Sequence, residues 1–572
     1  MLNFFARSRV LRENPRRVIT RTITGLILLL SACRGLAQSP TLNHAVPSAV
    51  APGKTTTVTF HGENLSGATE LWTSFSANVT RGSSSETNGS ARNQIAFQIS
   101  VPKTVPVGIG AVRLATTNGV SDLHLLMIDD LPGVAKSGTN KTIAAAQRLK
   151  LPVAVEGHCD ELAFDFYQFN ARKGQRVSVE VVANRIGSPI DPVVRLLNVN
   201  GRELLYCDDD PAIGSDARFR FTAAASGPYV IELRDLAYQG GPNQRYRLRV
   251  GDFPLAGAPF PLGARQGAKI QVTFLGRAVE GLRPVSLRVP ENAARIPLNA
   301  KFSRSQGSAF TTLTTSRLCE WMEAEPNDTP ETANRISVPS VINGRFGKAR
   351  DSDWFEFSAE KGQRLVVAGK TRSLGSPCDL FMRLFSAGGK QLGEADITGA
   401  NEGTLTNDFS EAGTYRLLVE ELNRQGGPNL AYRIVIEPLQ PGFTLSVETN
   451  RIEAAAGGAF EIKVTAARRE YEGPIALSTV GLADDFVMDD AVISEKKNEA
   501  TLKVKLPGQV AAGQLFHFTI TGKAKMGDSD LETTASTMPA LRKLFPLLRY
   551  PPSEFDGLIA LGIKASAPRS GN

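Results

Sequence analysis

The 572-residue sequence predicts an all-β protein built as tandem β-sandwiches, with little helix. Two observations carry this expectation. The first is alternation. Short stretches such as Thr57-Val58-Thr59-Phe60-His61 and Phe460-Glu461-Ile462-Lys463-Val464-Thr465 alternate apolar and polar residues, and clusters of Gly, Pro, Asn and Ser separate them. Period two between turn residues is the pattern of half-buried strands. The second is an internal repeat. Asp165-Phe166-Tyr167-Gln168-Phe169-Asn170-Ala171-Arg172-Lys173-Gly174-Gln175-Arg176-Val177 returns 188 residues later as Asp353-Trp354-Phe355-Glu356-Phe357-Ser358-Ala359-Glu360-Lys361-Gly362-Gln363-Arg364-Leu365. Gly187-Ser188-Pro189 returns as Gly375-Ser376-Pro377, Gly240-Gly241-Pro242-Asn243 as Gly426-Gly427-Pro428-Asn429, and Tyr229 and Tyr246 as Tyr415 and Tyr432. Register kept over about a hundred residues marks two copies of one domain.

Length alone allows roughly four domains. Hydrophobic residues at 42% and charged residues at 21% place the chain among globular proteins. The net charge of +8 is misleading, because residues 1–37 hold seven arginines against Glu13. That leader supplies +6 and leaves +2 for the rest, too little to draw the chain to phosphate, so no nucleic-acid partner is expected.

Residues 1–37 read as an export signal: a basic leader, then the short apolar run Ile23 to Ala32. Two processing routes fit. Gly35-Leu36-Ala37 places small residues before a cut at Gln38, and Leu30-Ser31-Ala32-Cys33 resembles a bacterial lipoprotein box with Cys33 acylated as a lipid anchor. Arg16-Arg17 is a weak twin-arginine signal. No later stretch is apolar for long enough to span a bilayer. The sequence therefore points to a secreted or cell-envelope (periplasmic or outer-surface) protein of a bacterium. Cys159, Cys207, Cys319 and Cys378 remain. They either pair locally, Cys159 with Cys207 and Cys319 with Cys378, or stay free and buried; the two repeats do not share cysteine positions.

Residues 40–131 read as one sandwich. Pro47-Ser48-Ala49-Val50-Ala51-Pro52-Gly53, followed by Val58-Thr59-Phe60-His61-Gly62-Glu63-Asn64-Leu65, resembles the IPT/TIG type of immunoglobulin-like domain. Residues 132–253 and 319–438 are the repeats. In the second copy Glu325-Pro326-Asn327-Asp328, the Asp353-Trp354 pair, the Lys361-Gly362-Gln363-Arg364 turn and Gly413-Thr414-Tyr415 resemble bacterial pre-peptidase C-terminal domains. That resemblance implies a jelly-roll-like sandwich. Residues 254–318 echo the first domain, Gly267 to Val272 matching Gly53 to Val58, and read as a reduced β-domain or linker. Residues 441–536 read as a generic immunoglobulin-like sandwich, and 537–572 as a tail that partly docks.

The candidate site is acidic and follows from the resemblance. Collagenase-type members of that family bind calcium through Glu-x-Glu-x-Asn-Asp near the domain start and through acids before the aromatic pair. Glu323, Glu325, Asn327 and Asp328 match the first part; Asp351 and Asp353 stand near the second, although Arg350 occupies a position where a carboxylate is usual. Calcium takes six to eight oxygens, which this set can supply. The rival role is structural: Asp328 or Thr329 caps a short helix opening at Pro330-Glu331. The first copy has Ser137-Gly138-Thr139-Asn140 in place of the acidic start, so calcium is expected in the second copy only. Asp208-Asp209-Asp210 reads as a solvated loop, the Lys-Gly-Gln-Arg stretches as tight turns, Trp354 as core, and Trp321 as the one exposed aromatic.

No His-Glu-x-x-His, Gly-x-Ser-x-Gly, Walker or dinucleotide motif occurs, so the chain is not expected to be an enzyme. The reading is an exported, non-catalytic surface or envelope protein whose modules bind or space an extracellular protein or polysaccharide. Its alternatives are a targeting or accessory subunit of a secreted peptidase and a carbohydrate-binding adhesin. The spacer reading expects an elongated string of domains.

Overall fold

A computed structural model describes residues 38–82, 90–396, 401–489, 491–527 and 529–566. The signal segment 1–37, with both processing routes and Cys33, lies outside the described residues. The regular structure of the described chain is almost wholly strand, arranged as paired sheets. None of its helices is long and apolar enough to cross a membrane.

The first sandwich packs a four-stranded sheet against a second sheet centred on Gly108–Thr116. In Thr55–Glu63 the alternation does what it promised: Val58 and Phe60 face the core with Ile95, Phe97, Leu114 and Leu126.

The two repeats fold alike, each as five strands on five. In the first, Gly133–Ala135, Val153–His158, Arg245–Gly251, Arg176–Val182 and Arg218–Thr222 lie over Gln147–Leu149, Asp165–Ala171, Gly227–Asp235, Pro192–Asn198 and Glu203–Cys207. In the second, Cys319–Met322, Ser340–Arg345, Ala431–Pro438, Arg364–Lys370 and Thr404–Asp408 lie over Asn334–Arg335, Ser352–Ala359, Gly413–Glu421, Leu380–Ser386 and Gln391–Asp396. Every strand has its counterpart in the same place. The Lys-Gly-Gln-Arg stretches are turns. Gly174 and Gly362 sit at φ +81° and +80°, a region that favours glycine, and the Gln175 and Gln363 side chains accept the N–H groups of Arg172 and Glu360, each at 2.9 Å.

Between the repeats, residues 254–318 form a small sandwich of three strands on three, with its own core of Val272, Phe274, Val289, Leu298 and Leu313. It is a folded unit and not a linker.

The last sandwich corrects the reading of 537–572 as a tail. Ile559–Lys564 lies between Arg451–Ala455 and Leu515–Met526, and Ile559, Leu561 and Ile563 are fully buried. Their spacing of two is the strand signal that was passed over. Ahead of that strand, the helix Met538–Leu544 sets Leu541, with Phe545 just beyond it, on Ala111, Leu123 and Leu125 of the first sandwich.

The first and last sandwiches touch. The buried Arg113 guanidinium donates to Asn450 Oδ1 at 2.8 Å and to its carbonyl at 3.0 Å, and Thr69 Oγ1 donates to the Gly513 carbonyl at 2.6 Å. A second junction joins three domains. Asp129 of the first sandwich pairs with Arg247 at 2.7 Å and Arg249 at 3.1 Å in the first repeat, and Arg249 also donates to the Ser308 carbonyl at 2.7 Å.

All four cysteines among the described residues are free. Cys159 and Cys207 lie in the first repeat's core, and Cys378 in the second's, whereas Cys319 is exposed on an edge strand. Neither local pair is formed; the second would join an exposed edge to a core.

Candidate metal centre

The acidic site is built where an edge strand ends beside the start of a central one. Strand Cys319–Met322 pairs with Ser340–Arg345 and then delivers Glu323, whose N–H donates to the Asn343 carbonyl at 3.0 Å. The chain turns through Glu325 and Asn327. Asn327 anchors the turn to the other sheet, its carbonyl accepting the Trp354 N–H at 2.9 Å. Asp353 opens strand Ser352–Ala359 on its inward face and is fully buried.

From the facing sheet Tyr432 Oη donates to Asp353 Oδ2 at 2.6 Å. Tyr432 reaches it across Gly344, its register partner, where a Cβ would come within 2.2 Å of the tyrosine Oη. Glycine at 344 is thus required by the ring lying over it.

Glu323, Glu325 and Asp353 each offer a carboxylate oxygen, all within 4.8 Å of one another. No cation among the described residues sits between them. Buried oxygens are left without a hydrogen-bond partner: Glu323 Oε1, Asp353 Oδ1, Asp351 Oδ1 and Asn327 Oδ1. Backbone donors tether the site, Arg345 N–H to Glu323 Oε2 at 2.6 Å and Asn327 N–H to Glu325 Oε2 at 3.0 Å. Burial, with the neighbouring Glu325 and Asp351 charges, pushes Glu323 up to about 7. Burial, with the charges of Glu323 and Asp351, pushes Asp353 up to about 9. Buried like charges without a counter-ion take up protons instead.

Of the six residues picked from the sequence, the structure brings together Glu323, Glu325 and Asp353 and sets Asp351 and Asn327 beside them, Asn327 with an unpartnered Oδ1 and Asp351 with its Oδ1 facing only the Lys348 ammonium. Asp328 is turned outward to Lys348 Nζ at 2.7 Å, and the same ammonium stands 3.6 Å from Asp351. The cap of the short helix is Thr329, in a capping box with Thr332, and the helix is the single 3-10 turn Pro330–Thr332. The capping role and the acidic cluster therefore use different residues.

The first repeat answers the same geometry with lysine. Asp165, the counterpart of Asp353, is buried and accepts Tyr246 Oη at 2.7 Å. Lys136 Nζ lies 3.0 Å from Asp165 and Asp160, and Lys141 Nζ lies 2.6 Å from Asp165 and also pairs with Asp160. Despite partial burial, these ammoniums hold Asp160 at about 2. The sequence reading missed Tyr432 and both lysines. The recurrence of Tyr246 as Tyr432 was the available signal, since a tyrosine kept in both copies of an otherwise changed site faces something common to both.

Other assignments change. Trp354 is not core: Asp353 and Phe355 face inward, so Trp354 faces out, half-buried, its ring 5.4 Å from that of Phe385. Asp210 is not solvated but buried against Arg218 at 2.9 Å. Trp321 is 38% exposed on its edge strand.

Residues 163–235 match the family model described as the bacterial pre-peptidase C-terminal domain, so the chain carries one such domain there. A stretch of 102 residues is 33% identical to a probable subtilase-type serine protease of Deinococcus radiodurans, covering 17% of this chain and only 14% of that protein. Among solved structures, the pre-peptidase C-terminal domain of collagenase from Bacillus anthracis is 19% identical, covering 18% of this chain and 93% of that one, with a TM-score of 0.16. A Bifidobacterium dentium β-glucuronidase is 12% identical over 32% of this chain and 38% of its own, with a TM-score of 0.20.

Proposed function

We propose that this is an exported, non-catalytic protein of the cell surface or envelope, whose β-sandwich modules bind or space an extracellular partner, and that its second five-on-five sandwich holds one calcium ion. On this reading residues 40–131 are an IPT/TIG-like domain, and 319–438 form a second pre-peptidase C-terminal domain. The observation that carries the reading is the convergence of Glu323, Glu325 and Asp353, with buried oxygens that no protein donor meets. The donor set suits calcium, a hard cation that takes carboxylate and amide oxygens. Glu323, Glu325, Asp351, Asp353 and Asn327 would hold it, and Asp328 could join on leaving Lys348. The ion supplies the positive charge that the first repeat draws from lysine. Its role is to fasten the edge strand Cys319–Met322 to the strand that Asp353 begins.

The test is thermal melting of the chain from Gln38 onward, in calcium and in chelator, beside Asp353→Asn. Calcium should raise the melting temperature of the parent and leave the variant unmoved; identical melting of the parent in both would sink the metal site. The same protein, mixed with collagen, chitin, cellulose, peptidoglycan and an envelope fraction, should be retained by one partner with no turnover. The match to a subtilase-type protease favours a second reading, a targeting or accessory subunit of a secreted peptidase. That reading expects retention on a peptidase or its protein substrate.

A further inference from the structure

The small sandwich at 254–318 is charged unlike its surroundings. It holds nine lysines and arginines against Glu280 and Glu291, a surplus of seven, whereas the whole chain from Gln38 onward has a surplus of only two. The rest of the chain from Gln38 onward, taken together, is therefore net negative. Arg277 and Lys301 are taken up by Asp210 and Asp130 of neighbouring domains. Arg265, Lys269 and Arg288 are exposed, with no ion-pair partner among the described residues. Lys269 and Arg288 are direct partners across antiparallel strands. Like charges so placed cost stability, and the fold gains nothing from them.

Arg265 and the strand that Lys269 begins also border a groove of about 360 Å³, a size typical of small-ligand sites. Its opposite wall is the edge strand of the second repeat, with Trp321 38% and Met322 48% exposed, and Ile270 contributes to the apolar lining. Glu320, the carboxylate in the groove, is already neutralised by Arg433 at 2.5 Å and by the Asn343 amide at 2.7 Å. The groove thus offers one exposed aromatic face, an apolar lining and one unpaired cation, Arg265.

We propose that this groove binds an acidic polysaccharide, with Trp321 stacking on a sugar ring, Arg265 pairing with the sugar's carboxylate, and Lys269 and Arg288 attracting the polymer as it leaves. This rests on the non-catalytic binding reading above and names its ligand class. A guanidinium suits a carboxylate through two parallel hydrogen bonds. A single strand of nucleic acid is held by stacking successive bases on several aromatics, and here one tryptophan stands alone.

The experiment measures binding of the chain from Gln38 onward to hyaluronate, alginate and polygalacturonate, with dextran and DNA as comparators, in chelator at two salt concentrations. At least one uronate polymer should bind saturably, more weakly at high salt, and dextran should not. Trp321→Ala and Arg265→Glu should each lower affinity tenfold or more with melting temperature unchanged, while Arg265→Lys keeps most of it. No binding to any uronate would overturn the proposal. So would DNA binding tighter than uronate binding and indifferent to Trp321→Ala, which marks a merely cationic surface. Cleavage of a bound polymer would overturn the non-catalytic reading and leave the groove assignment standing, whereas absence of both binding and turnover removes the groove alone.

Discussion

Lys136 Nζ lies 3.0 Å from Asp165 Oδ2 in the first repeat, and 187 residues later Glu323 holds the same place beside Asp353. The equivalence is structural as well as arithmetic: the Lys136 N–H donates to the Glu156 carbonyl as the Glu323 N–H donates to that of Asn343. One copy carries its cation covalently, and the other carries a carboxylate there. We expect Lys136→Met to destabilise the first repeat, by less than the about 3–5 kcal/mol of stranding one partner of a buried pair, because Lys141 still faces Asp165. Added calcium should not restore it, because the first copy lacks the acidic start. Calorimetry of the variant in calcium and in chelator checks this, and rescue by calcium would contradict it.

The raised acids of the second repeat fix a pH dependence. Glu323 at about 7 and Asp353 at about 9 lie above their ordinary values of 4.5 and 3.8, so the metal-free folded state binds more protons than the unfolded chain. Stability conferred by the neutral form is fully present below about pH 4 and is lost as pH rises through 7 and 9. In chelator, stability should therefore fall as pH rises through the range in which the raised acids ionise. Calcium needs the ionised carboxylates, so its stabilisation should grow over the same interval. Melting temperatures at pH 6, 7, 8 and 9 with and without calcium test both signs; a calcium effect that shrinks as pH rises would contradict them.

Much of this was legible in sequence, and the misses share one cause. Alternation is local, so it disclosed the strands of each sandwich and the repeat. What a face packs against is not local. Trp354 reads as core because the other copy has Phe166 at its place, yet period two allows only one of Asp353 and Trp354 inside. The site demanded the aspartate, and burial of a carboxylate is a cost that propensity cannot anticipate. Tyr432, Lys136 and Lys141 reach the sites from other strands or turns, at separations no spacing rule covers. Ile559, Leu561 and Ile563 alternate with period two in the sequence, a signal that the reading of 537–572 as a tail does not use.

Asp129 bridges two buried arginines from another domain, Arg247 and Arg249, which also pair with Glu156 and Glu180 respectively. Removing it takes away the carboxylate the two guanidiniums share and leaves each with only its own glutamate. We expect Asp129→Ala to cost less than the about 3–5 kcal/mol of stranding a buried charge, because Glu156 and Glu180 stay paired with the arginines, and to loosen the joint between the first sandwich and the first repeat. Proteolysis under native conditions reads this directly: new cleavage near residues 129–133 is expected in the variant, and an unchanged pattern with unchanged melting would show that the pair contributes little.

Thiol chemistry separates the cysteines. Burial pushes Cys159 up to about 12 and raises Cys207 and Cys378 as well, while Cys319 is exposed. A thiolate is the reactive form. The folded chain from Gln38 onward should react with an aromatic disulfide reagent at one thiol, and at four after denaturation, with Cys319→Ser abolishing the fast reaction. Fewer than four thiols in denaturant without reductant would reveal a disulfide.

The strand Ile559–Lys564 gives the sharpest contrast between a tail and a structural element. It separates Arg451–Ala455 from Leu515–Met526, so its loss exposes the edges of both and the apolar face beneath them. Leu561 is fully buried, and Leu561→Ala should cost about 2–5 kcal/mol through lost burial and the cavity left behind. Truncation after residue 536 removes the strand together with the helix Met538–Leu544 that rests on the first sandwich. We expect the truncated chain to lose the cooperative melting of its last sandwich and to bind a hydrophobic dye, while the two repeats still melt as before. A truncated chain that melts like the parent would return 537–572 to the status of a tail.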